Sequence, residues 1–508
     1  MVLLTSEQTA MKKNKKMMAS FILGVCLLVV DIIIMSTDPI LFLLQLNMRV
    51  YNGSAVEGFL SKPIEGVHIS AYLFNITNAE EFMSGEHQKL KVEEVGPFTY
   101  LETRYNDDLQ IDEAAGVIRY APRPEVTFMP ELSVADPKLV NVTMPNLPML
   151  GISSMVSSYP YFTRVAFKLL AGQLHTRPVV TTDASTYLWG YPDPLVTLAH
   201  TVIPGFINFD KLGILDRLYD KQTQNRLEVS ATDKDKFMIK SRNGNKKLAM
   251  GNLEIADNCE ICDDFENAFE GVGYPSPMTP ETPLRIFRNG LCRLLDMTFD
   301  KKIVLDNGAD GLVFNLSDSF YTLDKNNTKN RVLDLSACFY GLPVALTKVK
   351  FLDLGPEMYD RIEGITPDPT MNCYLIIEPK IAMELETYFP VQMNLQLKDL
   401  SFHHEAGKFS NMLVPIGYVE INQPPLPDDS NYALYLIYIV GPAVLTTIKV
   451  LIIVISVILM VYPIAVYMSQ QYKNNVITYP LTSVVKQNVI SVQEPLMETK
   501  QNTGFAGF

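Results

Sequence analysis

Two long apolar stretches, one near each end of the chain, constrain everything that lies between them. Residues 17–35 read MMASFILGVCLLVVDIIIM, broken only by Asp31, and residues 450–468 read VLIIVISVILMVYPIAVYM with no charge at all. Each runs for about 19 residues, and a helix needs about 20 to cross the hydrocarbon core of a bilayer. The core helix of a soluble protein rarely goes so far without polar residues. Pro463 is compatible with a membrane helix, where neighbouring groups can satisfy the freed backbone. A cleaved leader accounts poorly for the first stretch, which exceeds the roughly 7–15 apolar residues of a leader and is followed by no small-residue cleavage site. Asp31 comes 14 residues after Met17, about 21 Å along a helix. A carboxylate inside a span is a functional candidate by default, but a place so near the outer boundary favours a plain structural reading. Lys449 can likewise snorkel toward the interface.

Orientation follows from Lys12, Lys13, Lys15 and Lys16, packed just before the first span, because basic flanks stay on the cytoplasmic side. A second crossing returns the chain to that side. The expected organisation is a cytoplasmic tail (1–16), a span (17–37), a large ectodomain (38–442), a second span (443–468) and a second cytoplasmic tail (469–508). Five Asn-X-Ser/Thr sites, at Asn52, Asn75, Asn141, Asn315 and Asn326, all fall between the spans. That placement fits glycosylation on a lumenal surface. The chain carries −13; the two tails together hold +4, and Asp31 and Lys449 cancel, leaving −17 on the ectodomain. So acidic a domain is a poor nucleic-acid partner.

Of the six cysteines, Cys26 lies in the first span and Cys259, Cys262, Cys292, Cys338 and Cys373 lie in the ectodomain. An oxidising compartment permits disulfides, and the odd count leaves at least one thiol free or paired outside the chain. Cys259-Glu-Ile-Cys262 has redox-motif spacing, but no second metal-ligand pair and no βαβ context accompany it, so structural roles lead over redox or metal chemistry. His403-His404-Glu405 suggests a metal only superficially, since adjacent residues of a strand face opposite ways. There is no Gly-X-Ser-X-Gly, P-loop or His-Glu-X-X-His motif, so neither an enzyme nor a cofactor is expected.

Residues 391–397 alternate apolar and polar with period two, which predicts a half-buried strand. Residues 70–74, 91–95 and 374–377 are further strand candidates, whereas 165–171 and 206–218 carry helical periodicity. The expected class is α+β, with strands in the majority.

Several ordered blocks resemble the class B scavenger receptors, a family that includes fatty-acid translocases, the lysosomal integral membrane protein and insect sensory neuron membrane proteins. They are Gly53-Ser54, residues 72–78 (YLFNITN), 94–100 (EVGPFTY), 145–148 (PNLP), 188–194 (LWGYPDP), Cys292-Arg293, 332–338 (VLDLSAC), 341–344 (GLPV), 377–379 (IEP) and 392–394 (QMN). The chain departs from the family at Phe59 and Leu60, where a Trp is usual, and at Lys380-Ile381, where Thr-Gly is usual. Tyr418 replaces a late Trp, and the close Cys pair expected near residues 317–330 is missing. It is similar to a divergent, arthropod-like member.

The resemblance implies a β-barrel-like ectodomain with a helical apex near residues 151–220 and an apolar tunnel running toward the bilayer. It implies capture of lipid ligands such as fatty acids, lipoproteins or carotenoids, and their delivery to the membrane. The alternative it carries is a trafficking receptor that binds a lumenal protein through the apex helices. Cys292 and Cys338 match family positions and are expected to pair, with Cys259, Cys262 and Cys373 competing for one further bond. Arg164 and Lys168, four apart and so on one helix face, are the candidate apex contacts for an anionic ligand; a solvated face is the plainer reading. Trp189, the only Trp, reads as packed core before ligand contact. Plasma membrane is the expected residence, with endosome or lysosome the alternative; Glu494-Pro-Leu-Met497 lacks the spacing of an acidic-dileucine signal.

Overall fold

The computed structural model describes residues 2–202, 209–219, 225–248, 263–289, 291, 293–322 and 331–487. Cys259, Cys262, Cys292, Asn326, part of the expected 206–218 helix and the 494–497 segment lie outside these residues. The chain divides into two units, one holding the terminal helices and the other residues 40–438.

In the terminal unit the apolar stretches become two long helices, α1 (Val2–Ser36) and, at the other end, Gly441–Gln487. Two helical stretches, Lys13–Ser36 and Asp428–Lys473, are long and apolar enough to cross a membrane. Their flanks and surfaces show why: Phe21, Ile22, Leu23, Ile32 and Ile33 on one, and Val450, Leu451, Ile455 and Ile458 on the other, are exposed hydrophobics.

The second unit is organised by one sheet. Its strands in chain order are β1 (Ile64–Ile76), β2 (Leu90–Asp112), β3 (Val117–Phe128), β4 (Leu227–Ser230), β5 (Ile239–Arg242), β6 (Ala268–Phe269), β7 (Leu284–Ile286), β8 (Leu295–Val304), β9 (Asp310–Leu316), β10 (Tyr374–Glu378), β11 (Met383–Gln396) and β12 (Leu413–Asn422). The path runs β6 through β12, then on to β1 through β5. The chain's last strand therefore pairs with its first, His68 opposite Asn422 through Leu73 opposite Gly417. A single bridge between Met238 and Phe269 brings the two ends of the path together. The sheet is thus nearly closed, which leaves few open edges to attract other chains. Apart from the parallel β6–β7 pair, neighbours along the path are antiparallel. The core is a continuous apolar cluster that includes Phe74, Phe98, Phe314, Phe320 and Phe351.

Strand expectations at 70–74, 91–95 and 374–377 fall in β1, β2 and β10. The strand at 391–397 is present in β11, but it is not half-buried: every residue from Phe389 to Leu395 is buried. A short strand, Val344–Thr347, pairs along the edge of β11 and brings partners to its polar side chains. There Gln392 donates to Asn394 at 2.8 Å, and Asn394 donates to the Thr347 hydroxyl at 3.0 Å. Buried polar groups with all partners in place cost little, so the alternation marks an internal polar ladder instead of a wet face.

Between β3 and β4 the chain inserts helices: α2 (Leu147–Ser157), α3 (Tyr161–Gln173), α4 (Ala184–Trp189), α5 (Pro194–Val202) and α6 (Ile214–Leu218). Local chemistry starts them. Asn146 accepts from the Met149 amide at 3.1 Å ahead of α2, and Asp183 from the Thr186 amide at 2.8 Å ahead of α4, each satisfying an otherwise orphaned donor of the first turn. The expected helix at 165–171 lies within α3. The one at 206–218 is corrected: Lys211–Leu212 is a strand paired with Tyr191–Pro192, and helix resumes only at Ile214. Gly213 enforces the change, because a Cβ there would lie 2.2 Å from the Gly190 nitrogen.

Candidate functional site

The strands and inserted helices enclose three adjoining spaces. The largest, about 1230 Å³, lies between residues 124–128 of β3 and the inserted helical segment, with Tyr100, Trp189, His200 and Tyr219 in its wall. A second, about 150 Å³, is inside the sheet and walled by Val67, Leu346, Val391, Met393, Val419 and Ile421. A third, about 20 Å³, is lined by Leu147, Ile214, Leu342, Val344, Leu395 and Ile416. Pro124 and Tyr219 border both the first and second spaces; Phe339 and Met393 border both the second and third. The three spaces therefore adjoin through shared wall residues.

Alternation along the strands supplies the apolar wall. Val391 and Met393 on β11, and Val419 and Ile421 on β12, are two apart and so project to the same side. At the wide end, Gly190 has φ +106°, a backbone open to glycine but costly for other residues. It ends α4 and leaves Trp189 edge-on to Tyr100, with ring centroids 5.3 Å apart. Trp189 is therefore both packed against an aromatic neighbour and part of a cavity wall.

The middle space carries a small set of charges. Arg104 pairs with Glu270 at 2.7 Å, both side chains 12% exposed, and the Tyr120 hydroxyl donates to the same Glu270 oxygen at 2.9 Å. Glu102 accepts from the Tyr219 hydroxyl at 2.7 Å. Arg288 donates to the Glu270 carbonyl at 3.2 Å. Nearby, burial pushes the Glu384 carboxyl above the ordinary range; Arg288, Thr387 and Tyr274 pull against that shift. Among the described residues no cluster of three or more His, Cys, Asp or Glu could hold a metal.

Arg164 and Lys168 both sit on α3. Arg164 is half-buried, its Nε buried without a hydrogen-bond partner, and it contributes to lowering Asp399, whose main causes are hydrogen bonds from Ser401 and Ser410. Lys168 is exposed and adds to the depression of His403, which burial chiefly causes. Uncharged side chains of α3 are also strongly exposed: Phe162 84%, Tyr161 66% and Leu169 65%.

Cys338 is disulfide-bonded. Cys373, expected to compete for a further bond, is free and buried, its thiol pushed up to about 12 by burial. Asn52 and Asn141 are exposed, whereas Asn75 and Asn315 are half-buried within β1 and β9. Reading the sequence alone missed Tyr100, Tyr219, Arg288 and Met393 as cavity residues. Only Met393 carried a signal, the period-two pattern of β11; the others come together from segments distant in the chain.

The chain combines a nearly closed barrel-like sheet holding internal apolar space with two candidate membrane helices. Residues 19–467 match the model of the CD36 family, and the chain belongs to that family. It is 25% identical to human lysosome membrane protein 2 over 383 residues, which is 72% of this chain and 77% of that one. It is 22% identical to bovine scavenger receptor class B member 1 over 424 residues, 80% of each chain. It is 24% identical to sensory neuron membrane protein 1 of Mamestra brassicae over 254 residues, 46% of this chain and 47% of that one.

Proposed function

We propose that this protein captures lipid ligands outside the cytosol and delivers them to its own membrane through the interior of the ectodomain. The observation that carries the reading is the run of three spaces that share wall residues, with apolar side chains of β11 and β12 lining the middle one. Holding an acyl chain in water costs about 0.8 kcal/mol per CH₂, and an apolar conduit removes that cost along the way. In this reading residues 17–37 and 443–468 span the bilayer, both tails are cytoplasmic, and α2 to α6 form the apex where ligand is taken up. Arg164 and Lys168 attract anionic ligands against the acidic background. Cys292 is the partner of Cys338; peptide mapping of the unreduced chain tests this, and an alkylated Cys292 removes it.

The exposed Phe162, Tyr161 and Leu169 favour a second reading, a trafficking receptor that binds a lumenal protein at α3. Uptake by cells expressing the full chain, offered fluorescent fatty acid, carotenoid and lipoprotein, separates the two. Raised uptake of at least one is expected. If none rises, while Phe162→Ala abolishes retrieval of a soluble lumenal protein, the second reading replaces the first.

A further inference from the structure

We propose that Asp31 and Lys449 form an ion pair across the seam between the two membrane helices, and that this pair fixes the register in which the helices associate. On α1 the side chains shielded from the surroundings include Met17, Ser20, Gly24, Leu27, Asp31 and Ile34. On the Gly441–Gln487 helix they include Leu445, Lys449, Ile452, Ser456, Leu459 and Pro463. Both sets alternate steps of three and four, the spacing of a helix–helix seam.

Two contacts set the register. The Ser20 hydroxyl donates to the Leu459 carbonyl at 3.3 Å. A Cβ at Gly24 would lie 2.9 Å from the Ser456 carbonyl oxygen, so the backbones approach as small residues allow in membranes. Moving forward on one helix means moving back on the other, so the pair is antiparallel. Seven residues past Gly24 is Asp31, and seven before Ser456 is Lys449. Each step is two turns, about 10.5 Å, on the same face. The two charges arrive at one level of the seam, and the other seam positions named above carry none.

Asp31 is 2% exposed, and its Oδ1 is buried without a hydrogen-bond partner. A lone carboxylate so placed is costly in a membrane. Lys449 is half-buried on a flexible four-carbon stem; its ammonium is not in ion-pair contact with Asp31 in this structure, and rotation of the stem is the step that closes the pair. Apolar surfaces give little preference for one alignment when lipid is equally apolar. A charge pair does, because a slip of one turn parts it.

The test uses the full chain in lipid nanodiscs, read by thermal unfolding. Lys449→Met strands the Asp31 charge and lowers the melting temperature by several degrees. Asp31→Asn costs less, because the freed Lys449 can snorkel to the interface. The Asp31→Lys, Lys449→Asp exchange recovers most of the loss. A second measurement holds even where single variants fold poorly. In a Cys26→Ser background, Asp31→Cys with Lys449→Cys forms a disulfide under mild oxidation, severalfold more than Asp31→Cys with the off-seam Val450→Cys. Equal crosslinking overturns the register. Efficient crosslinking with no rescue by the exchange overturns the ion pair.

Discussion

Glu384 illustrates what a charge faces beside the barrel interior. It accepts from the Tyr274 hydroxyl at 3.0 Å and from the Thr387 hydroxyl, and burial still raises its carboxyl pKa. A carboxyl raised on folding holds its proton more tightly in the folded chain than in the unfolded one. Its favourable contribution is complete below the ordinary value of about 4.3. It is lost as pH rises through the raised folded value. Glu384→Gln resembles the protonated form at every pH. Thermal unfolding of the ectodomain side by side with the parent chain should therefore coincide near pH 4. At pH 7 the variant should be the more stable. A gap that widens on acidification would contradict the assignment. His403 has the opposite sense. Burial depresses it, so it contributes stability above its ordinary value near 6.5 that is lost as pH falls toward the folded value. Neither shift was legible in the sequence, because burial, the leading cause of both, is set by tertiary packing. Tyr418 was partly legible: it stands where the family has Trp, and it keeps an aromatic contact, stacked on Tyr72 at 4.5 Å.

Among elements, strands were legible where periodicity was strong, yet burial was misread where a neighbouring strand altered the environment. The polar side chains of residues 391–397 read as solvent-facing until Val344–Thr347 pairs along the strand's edge and supplies Thr347 as a partner. Nothing local announces that pairing, since the two segments are about 50 residues apart. The helical pattern at 206–218 failed for a related reason, the tertiary approach of Gly190 to Gly213. The same element-level view ranks the glycosylation sites. In β1 the Asn75 amide donates to Glu93 at 2.8 Å while its carbonyl accepts from the Thr143 amide at 2.8 Å. Asn315 is paired with Tyr374 and Thr298 across β9. Asn141 is exposed at the start of its strand, and Asn52 is exposed in a turn before α-helix Ala55–Leu60. Glycopeptide mass spectrometry should find Asn52 and Asn141 more fully occupied than Asn75 and Asn315. Full occupancy of Asn75 would show that β1 is modified before it pairs with its neighbours.

For the whole molecule, the question is whether capture and delivery are separable, and the geometry names a position that tells. Met393 borders both the middle and the narrow space and is only 7% exposed. Met393→Trp places a larger, rigid ring where ligand would have to pass. The roughly 150 Å³ beside it can take up added volume that a tightly packed core would resist at a cost of about 1–3 kcal/mol. Near-parental unfolding and surface delivery are therefore expected, and both are checked first. If ligand travels inside the sheet, this variant still binds ligand at the cell surface, but internal uptake falls severalfold. Arg164→Glu with Lys168→Glu changes a different step. It reverses charge on α3, so binding of anionic ligand falls first, and the deficit shrinks as salt rises toward the regime where exposed charges are screened beyond about 8–10 Å. Neutral lipid should feel Met393→Trp and largely ignore the charge reversal. Two variants failing at different steps and with different ligands require an entrance and a conduit in series. If Met393→Trp folds normally, reaches the surface and transports at the parental rate, ligand does not pass between these walls. The exposed aromatic face of α3 then becomes the working surface of the protein.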